Sequence, residues 1–107
     1  MTFDIEKVLS DMANAGWGVL QKDYPGVQVC VTKAISKEKL LLLNIAQARL
    51  NGDIDDEDVA TQLQRWQLPV QDALLACQVQ AKKAAQDAVN AAIQVFNDAV
   101  YRVAGSI

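Results

Sequence analysis

The sequence contains no histidine. That removes the commonest general base and the commonest metal ligand together. A Ser-His-Asp or Cys-His arrangement therefore cannot be assembled within one chain. No glycine-rich phosphate loop is present either. With neither a nucleophile–base pair nor a cofactor motif, the expectation is a non-enzymatic protein with no catalytic residue, cofactor or metal.

Other scarcities narrow the structural class. Two prolines and five glycines in 107 residues leave room for few turns, so the elements should be long. The longest apolar run, Leu40 to Leu43, is far short of the roughly 20 residues that span a bilayer. The first residues lack the charged and apolar regions of a signal peptide, which makes the cytoplasm the expected location. Two cysteines, Cys30 and Cys77, form neither a C-x-x-C pair nor a four- or six-cysteine framework. In a reducing compartment they are expected as buried thiols, with a disulfide between them the less favoured alternative.

Charge is neither strong nor concentrated in a basic patch. The formal net charge is −3, and the one acidic run is Asp53 to Asp58. Nothing could neutralise a row of phosphates, so nucleic acid is not an expected partner. An EF-hand loop begun at Asp53 would have Asp55 and Glu57 in place. It fails at Asp58, where glycine is needed, and at Gln64, where the bidentate glutamate belongs. Capping of a helix explains the same carboxylates.

What the sequence does hold is helical periodicity. Over residues 3–23, Ile5, Val8, Leu9, Met12, Ala15, Val19 and Leu20 recur at helical spacing. Gly16 and Gly18 interrupt this helix, which is tolerable where another backbone comes close. Residues 27–50 form a second helix. Its first part, 27–35, alternates Val27, Val29 and Val31 with polar residues as a strand would, but a lone strand has no partner, so helix is favoured. The leucine run after Ser36, a possible cap, is apolar nearly all round and should sit centrally. Asn51-Gly52 is a stop signal. Asp55 caps a third helix over 55–67, with Ile54 and Val59 placed as a hydrophobic staple. Pro69 is expected to break it and to open a last helix over 69–104.

That last helix would be roughly 50 Å long. Leu74, Cys77, Ala81, Ala85, Ala88, Ala92, Phe96, Ala99 and Val103 form one apolar stripe along it with an eleven-residue period. The middle of the stripe is alanine, which lets a neighbouring helix approach closely. The expected fold is one all-α domain over 1–107, an irregular bundle of about four helices. A helix of that length overhangs a domain of this size, whose radius of gyration is near 13 Å. The overhang motivates the leading functional expectation, self-association through the stripe as a homo-oligomer. The alternative is a monomeric adaptor or inhibitor that binds one protein partner in a helical groove. A membrane surface is disfavoured, because the polar face of this helix is rich in Gln and Asn instead of Lys and Arg. No small-molecule substrate is evident. Trp17 and Trp66 are read as core anchors before binding residues.

Overall fold

The computed structural model describes residues 3–105, and the described residues are all-helical with no strand. Five helices form the bundle. They are α1 (Ile5–Leu20), α2 (Gln28–Ser36), α3 (Lys39–Leu50), α4 (Asp56–Ala76) and α5 (Lys82–Gly105), with a 3₁₀ turn at Pro25–Val27. Asp4 caps α1 by accepting from the Lys7 backbone N–H at 3.2 Å. The helix buries Val8, Leu9, Met12 and Leu20, as the spacing leads one to expect, together with Ala13 and Gly16, whereas Ile5 and Ala15 are half-buried and Val19 is exposed.

α1 packs most extensively on α5, and small residues make the close approach possible. A Cβ on Gly16 would lie 3.5 Å from the Ala88 carbonyl oxygen and 3.2 Å from Ile35 Cδ1. Gly16 thus sits where a neighbouring backbone needs the space. Gly18 faces open surroundings, and no neighbouring backbone needs its space.

The valine alternation before Ser36 folds as helix α2, burying Val31, Ala34 and Ile35. The expected continuous helix over 27–50 is interrupted after Ser36, and α3 starts at Lys39 with no side-chain cap. Ser36 ends α2 instead of capping the next helix. Nor is α3 central. Only Leu42, Ile45 and Ala46 are fully buried, while Leu40 is 71% exposed. Four consecutive leucines cannot all face one neighbour at 100° per residue. Gly52 adopts φ +80 and closes the helix, with the Asp53 N–H donating to the Ala48 carbonyl at 2.9 Å.

At α4 the cap behaves as expected and the break does not. Asp55 accepts from the Asp58 backbone at 2.9 Å, and Asp58 accepts from the Asp55 backbone at 3.2 Å. This is a reciprocal capping box. The helix then continues through Pro69 to Ala76. An internal proline costs about 3 kcal/mol, and burial of Trp66, Val70 and Leu74 with no exposure on either side offsets it. Trp66 is a core anchor, although among the described residues its indole N–H has no partner, as is true of the half-buried Trp17.

The chain actually reverses after Cys77, so the single helix over 69–104 is two. Gln78 takes φ 71, a left-handed conformation. Its N–H donates to Leu75, and the Val79 N–H donates to Leu74 at 3.4 Å. Leu74 and Val79 are both fully buried beneath this turn. The pattern is a Schellman motif with glutamine where glycine is usual. Across it, the Tyr24 hydroxyl accepts from the Ala81 N–H at 3.3 Å. A non-glycine residue in this region is strained by about 1 kcal/mol or more. Gln78→Gly should therefore raise stability by about 1 kcal/mol, read as a higher urea midpoint with an unchanged slope.

Candidate binding groove

Two helices that the sequence places far apart are joined covalently. Cys30 on α2 and Cys77 at the end of α4 form a disulfide, with Cα atoms 5.8 Å apart and 47 positions between them in sequence. This corrects the expectation of two free buried thiols. Cys77 is buried but Cys30 is exposed. The crossing of α2 and α4 sets the pairing, and neither spacing nor composition reports a helix crossing.

Beside the disulfide runs a groove of about 310 Å³, lined by Cys30, Lys33, Ala34, Lys37, Ala73 and Cys77. Along α2 the lining falls at i, i+3, i+4 and i+7, one face of a helix. Along α4 it falls at i and i+4. The floor is alanine and the disulfide, and the ionisable groups are two ammonium ions. Among the described residues, neither Lys33 nor Lys37 has an ion-pair partner. A second hollow of about 500 Å³ continues from the same cystine towards Tyr24, Val27 and Gln78. Its tyrosine hydroxyl is already engaged by Ala81. Neither hollow places a nucleophile beside a base.

The nine stripe residues are divided by the turn. Leu74 and Cys77 belong to α4, and Ala81 is exposed in the connection. Ala85, Ala88, Ala92, Phe96 and Val103 are buried within the chain, and Ala99 is half-buried. The partner of this seam is α1 of the same molecule. At 24 residues α5 is about 36 Å long, inside the 40 Å longest dimension of the molecule. The overhang expected of a longer helix is gone. Cys77 is the stripe residue that also lines the groove. Lys33, Ala34, Lys37 and Ala73 were not singled out from the sequence. Their helical spacing was available, but only once 27–35 is known to be helix.

A polar cluster ties together the ends of three helices on another part of the surface. Arg49 Nε donates to Asp56 Oδ1 at 2.7 Å. The hydrogen bond from Arg49 holds the Asp56 carboxyl below the usual carboxylate range, and a further bond from the Tyr101 hydroxyl adds to this. The bond to Asp56 raises the Tyr101 phenol in turn. A depressed carboxylate contributes stability above its unfolded value, near 4, and loses it as pH falls through the folded value. The raised phenol contributes below about pH 10 and loses its share as pH rises further. Asp56→Asn should therefore flatten the acid limb of the melting temperature measured against pH between about 2 and 5. A wild-type limb equally steep in the variant would assign the acid sensitivity elsewhere.

Among the described residues, no group of three His, Cys, Asp or Glu side chains could hold a metal ion. No described helix is long and apolar enough to cross a membrane. No family model, curated protein or solved structure matches the chain.

Proposed function

We propose that the protein is a non-enzymatic helical interaction module that acts as a monomer, a small adaptor or inhibitor receiving one protein partner in the α2–α4 groove. The observation that carries this reading is the burial of the alanine seam against α1. Apolar surface already covered by its own chain offers nothing to a second copy. The groove beside Cys30–Cys77 is instead open, and a disulfide fixes its two walls relative to each other. A rigid, preorganised surface loses less entropy when a partner docks. The same disulfide favours an oxidising compartment over the cytoplasm as the place where the protein works.

Light scattering across a concentration series should give the 11.7 kDa mass of one chain throughout. A photoreactive benzoylphenylalanine in place of Ala73 should capture one protein in extracts of the expressing cells. The same group in place of Gln94, on the exposed side of α5, should not, and native protein should compete for the capture. A concentration-dependent dimer, or equal capture from both positions, would overturn the reading.

A further inference from the structure

We infer that the groove takes an acidic, amphipathic helical segment of a partner protein, a conclusion that rests on the interaction reading above and adds the chemistry of the occupant. Three observations combine. The floor, Ala34, Ala73 and the Cys30–Cys77 disulfide, is apolar and shallow, so it suits short apolar side chains laid along it. The charged groups lining it are both cations, in a protein whose net charge is −3. Both ammonium groups lack an ion-pair partner among the described residues; Lys22 and Lys82 are likewise unpaired, but neither lines this groove.

Spacing then fits this occupant. Lys33 and Lys37 stand four residues apart, and Lys37 still has helical backbone angles. Their Cα atoms are therefore separated by about one helical turn, near 6 Å. Carboxylates three or four residues apart on a second helix are separated by the same distance. A helix with Glu or Asp at that interval and small apolar residues beside them can place its acids on the two lysines and its apolar side on the alanine floor. The pairing selects against basic segments, because like charges would meet across the groove.

The test uses the intact oxidised protein, ¹⁵N-labelled, and a synthetic helical peptide with Glu at every fourth position beside an Ala/Leu face. A peptide with Lys replacing each Glu and the fatty anion decanoate are titrated in parallel. The expected result is amide shifts concentrated at residues 30–37 and 73–77 with the Glu peptide and none with the Lys peptide. The double variant Lys33→Glu/Lys37→Glu should weaken the Glu peptide about tenfold. Both lysines are exposed, so the melting temperature of the variant reports whether it stays folded; single Lys→Gln variants serve if it does not. Binding of the Lys peptide at the same amides, binding of decanoate alone, or no shift with any ligand would overturn the inference. If the Glu peptide fails while crosslinking from position 73 still captures a protein, the charge assignment falls and the groove reading stands. If both fail, the groove is not the site.

Discussion

Ala88→Glu should unfold the protein, and it should not release smaller folded species from an assembly. Ala88 has no exposed surface, and its carbonyl lies 3.5 Å from where a Cβ on Gly16 would stand. A glutamate there has no room on the α1 side. Overpacking of a tight core costs about 1–3 kcal/mol. Taking an unpaired carboxylate out of water costs several kcal/mol more, or requires its protonation. Together these match the roughly 5–15 kcal/mol that holds a domain of this size. Ala85→Glu should behave alike, since Ala85 is equally buried. Asn90→Glu, on the exposed side of the same helix, should change stability by about 0.5 kcal/mol or less. Circular dichroism separates the outcomes. Loss of helical signal in the two alanine variants identifies the stripe as core, whereas a folded species of lower mass would restore assembly through it.

These variants probe the place where sequence pattern and structure diverge. The periodicity from Leu74 to Val103 is real, and it identified most of the residues that α5 buries, together with Leu74 of α4. It could not show that the register is carried across a turn. The turn at Cys77–Gln78 has its hydrophobic clasp, Leu74 against Val79, but glutamine occupies the left-handed position where glycine would have announced a stop. Pro69 announced a stop that tertiary burial overrode at Trp66, Val70 and Leu74. Local signals that depend on one short hydrogen-bonding pattern were legible, as at the Asp55 cap and at Gly52, although the return bond from Asp58 was not. Features that depend on how helices cross were not. Lys33 and Lys37 read as ordinary surface lysines until Ala73 and Cys77 are placed opposite them.

Reduction of the Cys30–Cys77 disulfide should lower the melting temperature by about 15–30 °C. The bond closes a loop across 47 positions. In the chain-entropy account, a loop of this length restrains the unfolded ensemble by about 4 kcal/mol, and a domain near 100 residues shifts by about 4–8 °C per kcal/mol. The double variant Cys30→Ala/Cys77→Ala should show a similar fall without reductant and no further change with it. Thiol titration of denatured, unreduced protein should find no free thiol, since both cysteines are paired. Two titratable thiols would return the pair to the reduced state expected of a cytoplasmic protein. The consequence for binding is separable from that for stability. α2 is only nine residues long, and isolated helices shorter than about 12–15 residues are marginal. Val31 and Ile35 pack it on α1 beside Gly16, and its hold on α4 rests on Ala34 and the cross-link. Below its lowered melting temperature the reduced protein should keep its helical signal. Amide exchange should nevertheless quicken first at residues 28–36, the wall that carries both lysines of the groove. Uniform acceleration over all five helices would mean that the disulfide stabilises the fold as a whole and leaves the groove wall no more dependent on it than the rest.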